Sequence, residues 1–239
     1  MNIIGIIPSR YGSTRFPGKP LVDIQGKPMI QRVYEQACKA NLLSDVIVAT
    51  DDERIYNVIH SIGGKVMYTA AHHQSGTDRC NEIAQKINAD AYINIQGDEP
   101  FIQPEQINQL ANKLMELPIE TGIATLIKPI KKEDETELLN NPNIIKVVIN
   151  RHSKALYFSR NAIPFCRNKS AEVQFYKHIG MYGYMKNALI SIANLQSSML
   201  ENVEQLEQLR WLENGLDIYC SQTMLETHSI DIIEDLKKI

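Results

Sequence analysis

The chain has 239 residues, with 25 Lys+Arg against 28 Asp+Glu and a formal net charge of −3, so it has no global positive field for gripping nucleic acid or an anionic membrane. Any phosphate binding must be local. With 44% apolar side chains, a chain this long buries roughly 70–75% of the surface that its unfolded form exposes, which predicts a self-sufficient globular fold.

No apolar run approaches the ~18 residues of a membrane span, and Arg10 and Arg15 interrupt the N-terminus before a signal-peptide core could form. The expected compartment is the cytoplasm. Cys38, Cys80, Cys166 and Cys220 are scattered, without the paired spacing of a disulfide framework or zinc knuckle, and most are expected to be small buried fillers.

In chain order, 2–8 reads as a strand buried on both faces, 28–41 as a helix with Ile30, Val33, Tyr34 and Ala37 on one side, and 45–50 as a second buried strand. Asp51 and Asp52 open a helix to Ile62 that Gly63-Gly64 stops, and a short strand follows at 65–68. A helix at 77–88, a strand at 91–95 and a helix at 103–117 continue the alternation. That alternation predicts an α/β fold on a largely parallel sheet.

The second half reads differently. Strand candidates at 123–127, 144–149, 155–158 and 179–184 have short connections, which predicts antiparallel pairs. Ser198 and Glu201 form a capping box ahead of a helix ending at Gly215, and a last helix runs from Asp231 to the C-terminus. One domain with an antiparallel elaboration is favoured over two, since no linker or repeat divides the chain.

The most informative stretch leaves the first strand: Ile7-Pro8-Ser9-Arg10-Tyr11-Gly12-Ser13-Thr14-Arg15-Phe16-Pro17-Gly18-Lys19-Pro20. Its glycines allow backbone amides to approach phosphate oxygens, and its two arginines and lysine neutralise charge, at the strand end where open α/β sheets bind ligands. A Walker A loop is excluded: five residues separate Gly12 from Gly18-Lys19, and Pro20 stands where Ser or Thr would hold magnesium. A dinucleotide fingerprint is disfavoured by the glycine register. A merely solvated basic loop is the competing reading, and the clustering of Arg10, Arg15 and Lys19 argues against it.

The string Asn94-Ile95-Gln96-Gly97-Asp98-Glu99-Pro100 follows another buried strand. A carboxylate there suits Mg²⁺, which prefers one or two carboxylates plus phosphate oxygens and water. By itself the string also fits a surface turn.

These two segments, together with Val48-Ala-Thr-Asp-Asp52, Ser75-Gly-Thr-Asp-Arg79, Asn141-Pro-Asn-Ile-Ile-Lys-Val-Val148, Ala155-Leu-Tyr-Phe-Ser-Arg160, Lys177-His-Ile-Gly-Met-Tyr-Gly-Tyr184 and Leu206-Glu-Gln-Leu-Arg210, closely resemble the 3-deoxy-manno-octulosonate (Kdo) cytidylyltransferases, the CMP-Kdo synthetases. The resemblance runs in order along essentially the whole chain. It implies a Rossmann-like three-layer sandwich with a mostly parallel mixed sheet, the nucleotide-diphospho-sugar transferase fold, plus an antiparallel dimerisation elaboration. Residues 1–239 would form one cytidylyltransferase domain, with nucleotide binding in about 1–120 and sugar binding and dimerisation in about 121–225.

The implied activity joins CTP to Kdo, giving CMP-Kdo and diphosphate for lipopolysaccharide or capsule synthesis, by a Mg²⁺-dependent homodimer. The runner-up is a cytidylyltransferase for a related acid, 8-amino-3,8-dideoxy-octulosonate or sialic acid. Carried over by position, Arg10, Ser13, Arg15 and Lys19 would hold the triphosphate, with Arg15 and Lys19 catalytic. Ser75, Thr77 and Arg79 would lie near cytosine or ribose with Gln96 close by, and Asp98 and Asp231 would be metal ligands with catalytic roles. Asp231 falls in Asp231-Ile-Ile-Glu-Asp-Leu236, which lacks the family's Thr-Pro pair; an N-cap with reciprocal Glu234 is its other reading. Arg160, His178, Tyr182, Glu207 and Gln208 would bind the sugar acid. On chemistry alone, His178 in a strand would more often be a satisfied structural histidine, and Glu207 and Gln208 on a helix would usually be solvated.

Overall fold

The computed structural model describes all residues except 13–15, 169, 171, 227–228, 231–232 and 239. Eleven strands are described: β1 (Ile3–Ser9), β2 (Asp23–Ile24), β3 (Lys27–Pro28), β4 (Asp45–Thr50), β5 (Val66–Tyr68), β6 (Ala91–Asn94), β7 (Ile123–Pro129), β8 (Lys146–Ile149), β9 (Ala155–Ser159), β10 (Tyr176–Met185) and β11 (Ile218–Gln222). The helices are α1 (Met29–Ala37), α2 (Glu53–Ser61), α3 (Gly76–Lys86), α4 (Pro104–Met115), α5 (Glu135–Asn140), α6 (Lys186–Ala193), α7 (Met199–Glu204) and α8 (Gln208–Glu213).

The nine-stranded main sheet runs β11-β7-β10-β6-β1-β4-β5, with β8 beside β10 and β9 beside β8. β4, β1 and β6 are parallel neighbours, as their uninterrupted apolar runs predict, because each strand is covered on both faces. Helices flank the sheet in two groups, α1 with α2 and α4, and α3 with α6. Ile3, Ile6, Ile7, Val48, Ile93 and Ile95 are fully buried between them. Each such side chain contributes about 1.5–3 kcal/mol relative to an exposed one.

β10 turns the parallel half into the mixed half. It pairs antiparallel with β7 along most of its length, with β6 over Tyr182–Met185 and with β8 at its beginning. Its register shifts between Ile179 and Tyr182, a bulge that turns the strand midway along β7 and just before it meets the end of β6 at Asn94. The antiparallel pairing expected in the second half is therefore present, with β8 and β9 as a hairpin.

Several elements depart from the sequence reading. α6 and β11 were not anticipated, nor was the small β2–β3 hairpin, whose turn residues Gln25 and Gly26 both have positive φ. The helix expected from Ser198 to Gly215 is two helices. Ser198 caps α7 in the expected box with Glu201, but Gln205 at φ 54 ends it, and α8 begins in a new direction before Gly215 closes it with a positive φ of its own. The C-terminal helix is a 3-10 stretch over Ile233–Lys238, and its expected start at Asp231 lies outside the described residues. Of the cysteines only Cys80 and Cys220 are buried; Cys166 is half-buried and Cys38 is exposed, so fewer act as fillers than expected. No helix among the described residues is long and apolar enough to cross a membrane.

Candidate functional site

Beyond the carboxyl ends of β1 and β6 the chain leaves two adjoining chambers of about 360 and 400 Å³. Gln96, Asp98, Tyr182 and Gln208 line both, so they form the wall between them. The first chamber takes Ser9 from the end of β1, Arg10 and Lys19 from the basic loop, His73 to Ser75 from the segment before α3, Gly76, Thr77 and Arg79 from its first turn, Asn94 and Gly97 from β6 and its loop, and Glu207 from the entry to α8. The second is lined by Asn143, Ile144, Ile145, Lys177, His178, Ile179, Gly180, Leu206 and Ser229 among others.

Two loops meet at Asp98. Lys19 follows Gly18, whose φ of 73 opens a short 3-10 turn, and its ammonium donates to Asp98 Oδ2 at 2.7 Å. Gly97 is required next to it, because a Cβ there would stand 3.0 Å from the Pro8 carbonyl oxygen of β1. The Asp98 carbonyl accepts from the Ile230 amide at 2.9 Å, which brings the C-terminal segment to the same point. Gln96 spends an amide proton on the Gly180 carbonyl at 2.6 Å, tying the loop after β6 to the bulge of β10.

The start of α3 is locked from both sides. Ser75 accepts from the Asp78 amide at 3.1 Å while Asp78 accepts from the Ser75 amide, a capping box. Thr77 donates to Glu207 Oε2 at 3.0 Å, and Arg210 donates to Glu207 Oε1 at 2.7 Å. Burial pushes the Glu207 carboxyl up despite Arg210, Thr77 and Ser75. Arg79 is almost wholly buried. It donates to Thr69 Oγ1 at 2.6 Å and pairs with Asp51 at 3.1 Å, so it braces the chamber wall from behind.

Glu82, one turn further along α3, holds the segment before Ser75. It accepts from the Ala70 amide at 2.8 Å, lies 2.6 Å from His73 Nε2 and takes Lys86 at 2.5 Å. Burial raises the Glu82 carboxyl, but these partners outweigh it and hold its pKa at about 2.

In the second chamber His178 is enclosed by Phe158 and Tyr182, with ring centroids 5.1 and 5.2 Å away, and burial pushes its pKa down to about 3. Thr125 Oγ1 lies 2.8 Å from His178 Nε2 and 2.8 Å from the Met181 carbonyl. The hydroxyl proton goes to the carbonyl, so Thr125 accepts from Nε2–H and the neutral ring keeps Nδ1 as an acceptor.

The chambers gather most of the residues singled out in the sequence. Arg10, Lys19, Ser75, Thr77, Arg79, Gln96 and Asp98 line the first, and His178, Tyr182 and Gln208 line the second. Glu207 lines the first rather than the second. Arg160 lines neither; its guanidinium donates to the carbonyls of Glu204, Pro142 and Gln205. Ser13, Arg15 and Asp231 lie outside the described residues. Sequence reasoning passed over Ser9, which is 4% exposed, lines the first chamber and has no hydrogen-bond partner for its hydroxyl among the described residues. It also passed over His73. The signals were present: Ser9 ends the strand beside Arg10, and His73 stands two residues before Ser75.

Against known proteins, a family model described as cytidylyltransferase matches residues 4–218. A 3-deoxy-manno-octulosonate cytidylyltransferase of Parabacteroides distasonis is 52% identical over all of this chain and 96% of its own. Its counterpart in Cytophaga hutchinsonii is 51% identical with the same coverage. A solved structure of CMP:2-keto-3-deoxy-manno-octonic acid synthetase complexed with CTP matches with a TM-score of 0.92 and 41% identity, over 100% of this chain and 96% of that one. A glucose-1-phosphate thymidylyltransferase structure from Bacillus anthracis, at 15% identity and a TM-score of 0.65 over 99% and 93% of the two chains, shares the fold.

Proposed function

The chain belongs to the cytidylyltransferase family, among the 3-deoxy-manno-octulosonate cytidylyltransferases, and on that premise we propose how its two chambers divide the work of joining CTP to Kdo with release of diphosphate. The first chamber takes CTP and the second takes the sugar acid. The observation that carries this division is Asp98 in the shared wall, with the basic loop on one side and, on the other, a cavity lined by Lys177, His178, Tyr182 and Gln208. The first chamber draws mostly on residues before 99 and the second mostly on residues after 142, which supports nucleotide and sugar parts within one domain.

In this reading the 2-hydroxyl of Kdo attacks the α-phosphorus of CTP in line with the departing diphosphate. Arg10, Ser13, Arg15 and Lys19 would hold the triphosphate, and Arg15 and Lys19 would stabilise charge on the leaving group. The segment from His73 to Thr77 frames the nucleoside, with Arg79 bracing it. His178 Nδ1, the Tyr182 hydroxyl and the Gln208 amide offer an acceptor and donors to sugar hydroxyls. The buried Tyr182 hydroxyl has no partner among the described residues, as a group waiting for a ligand would.

The residues present fit Mg²⁺. Asp98 supplies a carboxylate beside both chambers, Ile230 brings the chain to Asp98 just before Asp231, and Mg²⁺ needs only one or two carboxylates besides phosphate oxygens and water. Asp98 and Asp231 would hold it, and when bound it supplies charge neutralisation and lowers the pKa of the attacking hydroxyl. No protein base is assigned.

The protein would work in the cytoplasm as a homodimer. Leu156 on β9, Phe165 in the segment after it, and Met199 and Val203 on α7 are exposed apolar side chains that suit an interface, and sedimentation at graded concentrations tests it. The catalytic reading is tested by diphosphate release with CTP and Mg²⁺ against a panel of 2-keto sugar acids. Turnover with Kdo ahead of the 8-amino analogue and sialic acid is expected. Failure with every acid, or release of a nucleoside diphosphate instead, would overturn it.

A further inference from the structure

Lys146 on β8 is completely buried, at 0% exposure, and lines neither chamber. Its ammonium has three protons, and the fold meets them with three backbone carbonyls: Asn141 at 3.0 Å, Ile144 at 2.7 Å and Arg160. Burying an ammonium is costly even when it is fully hydrogen-bonded, and an apolar side chain of similar size would commonly serve stability as well. The three carbonyls belong to two places. Asn141 and Ile144 belong to the segment that gives Asn143, Ile144 and Ile145 to the second chamber, and Arg160 follows β9.

The same junction is tied to the chamber's other wall. Arg160 donates through Nε to the Glu204 carbonyl at 2.6 Å, through Nη1 to Pro142 at 3.0 Å and through Nη2 to Gln205 at 3.3 Å. Glu204 in turn accepts from Ser159 Oγ at 2.6 Å and from the Arg160 amide at 2.9 Å. The break between α7 and α8 at Gln205 thus sits on Arg160, and just beyond it Leu206 and Gln208 enter the second chamber. Two loops facing each other across one cavity are held by one pair of cations through main-chain oxygens.

We propose that Lys146 is a positioning residue for the second chamber: by gathering the Asn141, Ile144 and Arg160 carbonyls it fixes the 141–145 wall against the 204–208 wall, and so sets the fit of the sugar acid without touching it. This rests on the second chamber being the sugar acid's. Carbonyls can converge on a single ammonium only in one arrangement of the loop, so losing it leaves them buried and unpaired and lets the wall relax. The nucleotide chamber has no wall residue on either side of this junction, apart from Glu207 and Gln208 at the head of α8.

The test is steady-state kinetics of Lys146→Met, which fills the space without the charge. The expected result is a KM for Kdo raised on the order of tenfold, the size expected for lost charge-assisted hydrogen bonds, with KM for CTP and kcat nearly unchanged. Lys146→Gln, which keeps two donors, should show the same split with a smaller rise, and it is the variant to read if Lys146→Met does not fold. Amide exchange should quicken at 143–145 and not in the 76–86 helix. A lower thermal midpoint with no selective change in KM for Kdo overturns the proposal, because that is what a merely structural lysine gives. Gln208→Ala separates this from the chamber reading. If it raises KM for Kdo and Lys146→Met does not, the positioning role fails alone; if it leaves KM for Kdo unchanged, the assignment of the chamber fails.

Discussion

Lys19 Nζ stands 2.7 Å from Asp98 Oδ2, joining the basic loop after β1 to the acidic loop after β6 at the wall between the two chambers. The two side chains are 16% and 27% exposed, and for a pair this far out of water the cost of desolvation offsets much of the mutual attraction. Its value is positional. Asp98→Asn should therefore keep its thermal midpoint within a few degrees while turnover falls by about 10²-fold or more, the scale of losing a group that orders charge in the transition state. Circular-dichroism melting and diphosphate release read the two halves separately. A folded Asp98→Asn protein with near-normal turnover would sink the metal assignment.

Ser9 offers a complementary test in which binding and stability move apart. Its hydroxyl is buried in the first chamber without a partner among the described residues, so Ser9→Ala removes an unpaired polar group and should leave stability unchanged or slightly higher. If the hydroxyl donates to the nucleotide, KM for CTP rises by about three- to tenfold, the range of one neutral hydrogen bond, and KM for Kdo stays put. An unaltered KM for CTP removes Ser9 from the nucleotide site.

Much of this architecture is legible in the sequence wherever local pattern and tertiary role agree. β1, β4 and β6 read as buried parallel strands because their apolar runs are continuous, and Asp52 reads as an N-cap and accepts from the Arg54 and Ile55 amides. α6 was missed because Ala188, Leu189, Ile190 and Ile192 crowd its short length and leave little polar contrast to set a helical period. The break at Gln205 has no local signal, since a glutamine at φ 54 is held there by Glu201 and Arg160 rather than by its own preference. For the site, the loops at strand ends identified Arg10, Lys19 and Asp98, whereas Arg160 shows the limit of residue type. An arginine suited to a carboxylate is spent here on three carbonyls, and nothing in Ala155 to Arg160 announces it. Lys146 is the same lesson in reverse, because a lysine between apolar neighbours on a strand gives no sign that three carbonyls wait for it inside.

His178 predicts a pH dependence whose sign follows from its burial. Burial holds its pKa near 3 in the folded protein, while the unfolded chain returns it to about 6.5. As pH falls from about 6.5 toward 3 the unfolded state takes up the proton first, so the stability that neutral His178 permits is progressively lost across that window. Glu82, whose folded value is about 2, loses its contribution in a lower window, from about 4.5 downward. Urea unfolding at pH 7 and pH 5 should show a larger drop for the wild type than for His178→Asn, whatever the absolute stability of the variant. Identical drops would mean that His178 is not held neutral. Over the same interval KM for Kdo should show no step from this residue, since His178 carries no proton on Nδ1 at either pH.

Glu82 ties the nucleotide chamber to the interior of α3, and the consequence is specific to one substrate. Its carboxylate holds both the Ala70 amide and the His73 ring, so the segment that frames the first chamber is fixed at two points before Ser75 caps the helix. Glu82→Ala frees both points, and KM for CTP should rise by about tenfold, the scale of lost hydrogen bonds to a charged group. Glu82→Gln can still accept from the Ala70 amide and should fall between the wild type and the alanine variant. KM for Kdo should barely change in either, because the second chamber takes no residue from this segment. Steady-state kinetics with each substrate varied at saturation of the other measures all four constants. A rise shared equally by both substrates would show that Glu82 supports the fold at large rather than the nucleotide wall.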